Sequence, residues 1–128
     1  MDILKTATEN EALLIEMRRH LHENPELSDV EYETLKYIKQ KLPEFNVDYV
    51  EIENGGILAK VGDENKGASV LLRGDCDALP VPENPNNLKG PKACISKVEG
   101  VSHACGHDAH TAMLLSAAKI LKEMEYGV

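Results

Sequence analysis

The sequence has 128 residues, of which 42% are hydrophobic and 28% charged, with one Phe, four Tyr and no Trp. That length fits one domain or part of one, with a core built mainly from Leu, Ile, Val, Ala and Met. A formal net charge of −8 argues against a nucleic-acid partner, no Lys/Arg cluster marks an anionic membrane, and no apolar run approaches the roughly 20 residues that span a bilayer.

The opening Met1-Asp2-Ile3-Leu4-Lys5 lacks the charged-then-apolar order of a signal peptide, so the expected location is cytoplasmic. Cys76, Cys94 and Cys105 make an odd count, which favours reduced thiols over a disulfide framework.

In chain order, residues 10–23 predict a helix, with Leu13, Leu14, Met17 and Leu21 at helical spacing on one face. Asn24-Pro25 ends it, because the residue before proline avoids the helical region. His20 and His22, at i and i+2, point apart and read as structural hydrogen-bonding groups. A second helix is expected from near Ser28, where Ser28 and Glu31 have capping-box spacing. Leu35, Ile38 and Leu42 form its stripe, and Pro43 stops it.

The period then shortens. Residues 47–52 and 57–61 predict strands, joined through the turn Asn54-Gly55-Gly56. The apolar run at residues 68–72 predicts a third strand, buried on both faces. Residues 80–101, with Pro80, Pro82, Pro85 and Pro91, form a long irregular stretch of the kind that is usually functional. A last helix is expected over residues 108–126, with Asp108 as its N-cap. The order of elements favours a layered α/β domain, a sheet flanked by helices.

Two clusters carry chemistry. Arg73-Gly74-Asp75-Cys76-Asp77 follows the third predicted strand, and ligands bind at the carboxyl ends of strands in open α/β sheets. Two readings stand for it: a metal or ligand site, or a solvated turn with an Arg–Asp ion pair. The second cluster is denser. His103, Cys105, His107 and His110 place four donors within eight positions. Cys105 and His107 fall on one side of an extended backbone, and Gly106 allows a sharp turn between them. Imidazole with thiolate suits Zn, Co, Ni or Mn, and Asp108 is placed to orient an imidazole. Packing alone, or a Cys105 nucleophile activated by a histidine, are the competing readings.

Three segments together resemble peptidase family M20, in the branch of hippurate hydrolases, indole-acetyl-amino-acid hydrolases and N-acyl-amino-acid deacylases. They are residues 18–28 (Arg18-Arg19-His20-Leu21-His22-Glu23-Asn24-Pro25-Glu26-Leu27-Ser28) with Glu31 and Thr34, residues 73–80 with Glu83, and residues 100–110. The resemblance implies a zinc-exopeptidase-like catalytic domain using two divalent ions (Mn, Zn, Co or Ni) on small N-acyl amino acids or peptides. It makes Cys105 and His107 metal ligands and gives Asp75 the task of orienting the metal site. Arg73 stands where other branches keep a ligand histidine, and Asp77, His103, Asp108 and His110 support the ligands.

The resemblance also implies elements beyond those seen here: a Glu-Glu pair holding the general base, two more ligand histidines, and an inserted lid or dimerisation domain that makes the intact enzyme a homodimer. On that comparison residues 1–128 are expected to be the N-terminal part of the catalytic domain, inactive alone. Glu123 and Glu125, on the last helix, do not replace the missing pair. The alternative is a non-catalytic module holding one zinc through His103, Cys105, His107 and His110.

Overall fold

The computed structural model describes residues 2–63 and 65–125, the side chain of Glu125 excepted. Helix α1 (Ile3–Glu9) was not expected from the sequence. It buries nothing, so no apolar stripe announces it; the Asp2 carboxylate caps it by accepting from the Lys5 N–H at 3.1 Å. Helix α2 (Glu11–Glu23) lies where the period predicts, with Met17, Leu21 and His22 buried.

Helix α3 (Tyr32–Glu44) starts later than the Ser28–Glu31 spacing suggests. Asp29 adopts a positive φ of 68° in a turn closed by Val30 N–H to Leu27 O at 3.2 Å, which holds Ser28 outside the helix. Glu26 caps α3 instead: its carboxylate accepts from the N–H groups of Glu33 (3.1 Å) and Thr34 (2.5 Å). Pro43 sits inside the last turn, so the helix ends just after it.

Strands β1 (Asp48–Glu51) and β2 (Ile57–Lys60) pair antiparallel, with Asp48 opposite Lys60 and Glu51 opposite Ile57. The expected Asn54-Gly55-Gly56 turn joins them, with Asn54 at φ 52°. The run at residues 68–72 departs from expectation. It forms no strand, and Val70, Leu71 and Leu72 are exposed, Val70 by 84%. A continuous apolar strand is buried only when strands flank it, and the described residues supply none there.

The irregular stretch contains one small hairpin, β3 (Asn86–Asn87) with β4 (Gly90–Pro91). Single bridges tie the rest together: Leu27 to Ala78 in parallel, and Leu79 to Ser102 antiparallel. Helix α4 (His107–Glu125) follows, and the predicted extension to Tyr126 lies outside the described residues. Asp108 is in the first turn of α4 rather than at its N-cap.

The core gathers Met17 and Leu21 of α2, Leu42, Phe45 and Val47, and Ala112 and Leu115 of α4. Ala112, fully buried, lets the two helices approach closely. Each of the large side chains stabilises by about 1.5–3 kcal/mol. Exposed ion pairs such as Lys5–Glu9 contribute about 0–1 kcal/mol. Burial along the α2–α4 seam therefore holds the region that carries the chemistry.

Candidate metal centre

Gly74 is where the segment 73–77 comes down on α4. A Cβ there would sit 3.2 Å from Leu114 Cδ2 and 3.3 Å from His110 O, so a larger residue would push the two apart. The Thr111 hydroxyl donates to Asp75 O at 3.0 Å and fastens the segment. On the helix side, Gly106 has φ 81°, a left-handed conformation that suits glycine. It closes the turn after His103 and starts α4 at His107.

These two constraints bring Asp75, His107 and His110 together, with one potential ligand atom of each within 4.8 Å of the others. His107 is held firmly. Its Nδ1 meets Asp77 Oδ1 at 2.8 Å and the Asp77 carbonyl at 2.9 Å, with Nε2 4.0 Å from Asp75 Oδ2. A ligand imidazole commonly has its second nitrogen engaged by a carboxylate or carbonyl, which fixes the tautomer and the ring orientation. The donors present, two imidazoles and a carboxylate, fit a divalent ion.

Arg73 donates to Asp75 Oδ1 at 2.6 Å, with the Arg73 side chain 82% exposed. The surface ion pair weighed from the sequence is therefore present, and it uses one Asp75 oxygen while the other faces His107. The His110 ring lies 5.3 Å from the His107 ring. Cys105 is an exposed free thiol, two residues before His107, and stands outside the converging group. His103 is buried, with its ring centroid 6.5 Å from that of His22, and it is not among the converging donors. Burial holds its basicity below the ordinary value for histidine. The four donors of the sequence cluster thus do not converge as one group among the described residues.

Behind this surface lies a buried polar network. Asp108 Oδ2 accepts from Arg18 Nε at 2.8 Å and meets His22 Nδ1 at 2.7 Å. His22 Nε2 meets Glu83 Oε1 at 2.8 Å. Arg18 Nη2 also lies 3.1 Å from His22 Nδ1, so Arg18, His22 and Asp108 form one buried cluster that Glu83 extends. Glu83 also accepts from Lys92 Nζ (3.0 Å) and the Ser96 N–H (2.6 Å). Burial pushes Glu83 upward, but the Ser96 N–H, His22 and Lys92 outweigh it and hold the carboxyl at about 2. Of the two histidines expected to be structural hydrogen-bonding groups, His22 is one, whereas the His20 ring stacks on Tyr37 with centroids 4.0 Å apart. The linking roles of Arg18 and Glu83 carried no spacing signal, since 65 residues separate them in sequence.

The other thiols are quiet. Burial and the charges of Glu31, Asp77 and Asp75 raise Cys76 to about 11. Burial likewise raises Cys94, with the Glu23 carboxylate adding to it. Among the described residues, no helix is long and apolar enough to cross a membrane.

The profile of Peptidase family M20/M25/M40 matches residues 71–126. The chain is 45% identical over 114 residues to N-acetyl-L-cysteine deacetylase of Bacillus subtilis, a match covering 88% of this chain and 26% of the relative. It is 44% identical over 111 residues to IAA-amino acid hydrolase ILR1-like 5 of Arabidopsis thaliana, covering 86% and 24%. The fold superposes on the crystal structure of the Bacillus subtilis YXEP protein, a dinuclear metal binding peptidase from the M20 family. The TM-score is 0.78 at 37% identity, with 94% of this chain and 32% of that one covered. The chain spans about a quarter of the length of these curated relatives. The α/β class read from the sequence agrees with that likeness, and the residues matched by the profile of peptidase family M20/M25/M40 contain both segments that build the Asp75–His107–His110 group.

Proposed function

We propose that this chain carries part of the metal site of an amidohydrolase that cleaves the amide bond of N-acyl amino acids or short peptides. The observation that carries the reading is the His107 ring, pinned at Nδ1 by Asp77 with Nε2 turned toward Asp75. The substrate class follows the names of two relatives, an N-acetyl-L-cysteine deacetylase and an IAA-amino acid hydrolase. Cys105 and His107 are the proposed ligands, with Asp75 and His110 as further donors. Divalent ions held there, two in the intact enzyme and drawn from Mn, Zn, Co or Ni, supply Lewis-acid polarisation of the amide carbonyl and acidify water.

Asp77 orients His107, and Asp108 anchors the first turn of α4 on which His107 stands. Asp75 lies between the Arg73 guanidinium and His107, so its charge is shared between them. The converging group contains no glutamate, and Glu123 is engaged with Lys119 on the helix surface. A general base is therefore expected from residues outside this set, and the chain alone should turn over poorly. For the intact enzyme the reading includes a homodimer and a cytoplasmic location.

Calorimetric titration of the purified chain with Zn and Mn, beside an assay on N-acetyl and N-benzoyl amino acids, tests this. His107→Ala should abolish metal binding, and Asp77→Asn should weaken it about 10–100-fold. Unchanged binding in His107→Ala would overturn the site. Rapid metal-dependent turnover surviving Glu123→Ala and Glu125→Ala would overturn the claim of a missing base. Loss of the fold in Cys105→Ser would favour the structural zinc module instead.

A further inference from the structure

A cavity of about 500 Å³ opens between α2, the irregular stretch and the turn before α4. None of Asp75, His107 or His110 lines it. Its volume falls in the range of small-molecule sites. Its ionisable wall includes Arg18, Arg19, His22, Glu83, Lys92 and His103. On a chain of net charge −8, this wall gathers three permanent cations against one carboxylate.

The groups already engaged can be set aside. Arg18 is bound to Asp108, and both Glu83 oxygens accept from His22, Lys92 and the Ser96 N–H. The Ser102 hydroxyl donates to Val81 O. Two groups are left over. Arg19 makes no ion pair among the described residues, although it stands on the cavity wall. His103 is only 7% exposed, and among the described residues neither of its ring nitrogens has a hydrogen-bond partner. Buried polar atoms of this kind are rare unless something else satisfies them, because the desolvation cost is otherwise unmet.

We propose that this cavity is a binding site for a small oxyanion, the carboxylate or phosphate group of a small molecule, held between the His103 ring and the Arg19 guanidinium. His103 donates one N–H to an anion oxygen, and Arg19 offers a fork of N–H donors matched to carboxylate and phosphate. Arg18 and Lys92 lend positive potential, while Glu83, its oxygens occupied, leaves the donors facing the cavity free. The site is independent of the metal reading, since it needs none of the proposed metal ligands.

The test is an NMR titration of the metal-stripped chain, following the His103 ring resonances at constant ionic strength. Inorganic phosphate and acetate are the two probes, with chloride as the control. A saturable shift with either probe, weakened at least tenfold in Arg19→Gln, supports the site, and the probe that saturates identifies the anion. His103→Gln, checked for folding by thermal unfolding and followed through the backbone amide resonances of the cavity-lining residues Ser102 and Ala104, should lose the same binding. Shifts that never saturate, or that match chloride, mean that water alone satisfies His103 and overturn the proposal. So does saturation that is unchanged in Arg19→Gln, where the exposed position on α2 leaves the core intact.

Discussion

Replacing Asp108 with alanine is the sharpest test of how the first turn of α4 is held. The Asp108 side chain is 2% exposed and one of its oxygens serves both Arg18 and His22. Removing it strips His22, 7% exposed, of its buried carboxylate and leaves Nδ1 facing only the Arg18 guanidinium at 3.1 Å. Breaking a buried pair by deleting one partner costs about 3–5 kcal/mol. Arg18 is 39% exposed and can rehydrate, so its share is screened and the lower end of that range applies. A carboxylate at a helix N-terminus contributes about 0.3–1 kcal/mol more. The expected loss is about 3–4 kcal/mol, which is a large part of the 5–15 kcal/mol typical of a domain. With a urea m-value of about 2 kcal/mol/M, the midpoint should fall by about 1.5–2 M. Asp108→Asn, which keeps an acceptor, should lose about half as much. A double-mutant cycle with His22→Leu should give a coupling above about 1.5 kcal/mol. Additivity within about 0.5 kcal/mol would refute the reasoning, because the two residues would then act independently.

Three further outcomes are expected. Glu83 ionises at about 2 when folded, against an ordinary 4.5, so its contribution is complete above pH 4.5 and is lost as pH falls toward 2. That amounts to at most about 3 kcal/mol, and Glu83→Gln should flatten the acid limb of stability against pH in urea melts. Iodoacetamide at neutral pH should label Cys105 first, because it is exposed, while Cys76, at about 11, is almost wholly thiol; zinc should slow the Cys105 reaction, and equal rates with and without zinc would count against Cys105 as a ligand. Gly106→Ala places a side chain at φ 81° and should cost about 1–2 kcal/mol, read as a drop in thermal midpoint with a parallel loss of metal affinity.

What could be read from the sequence follows from the range of the interactions involved. Helices α2, α3 and α4 and the β1–β2 hairpin rest on local periodicity and turn residues, and they lie where expected within a few positions. The cap of α3 was misplaced because Glu26 reaches it from seven and eight residues upstream, outside the capping-box window. Helix α1 was invisible because it buries no side chain. The apolar run at residues 68–72 reads as a buried strand by composition, yet burial is a property of neighbours, and the described residues place none beside it.

The metal-centre residues divide the same way. Donor density between His103 and His110 announced a site, and spacing alone favoured Cys105 and His107 as the converging pair. Which donors face one another depends on Gly74 and Gly106, the first permitting a close approach to α4 and the second a left-handed turn. Those two glycines bring Asp75, from thirty-two residues upstream, to the ring of His107, while the His103 ring lies 6.5 Å from that of His22. The sequence cluster is thereby divided between two sites: one with carboxylate and imidazole donors suited to a cation, and one where the His103 imidazole and the Arg19 guanidinium, without polar partners among the described residues, suit an anion. Gly106 lies in the turn between His103 and His107, so substitution there should disturb both sites, while substitution at Arg19 should disturb only the second.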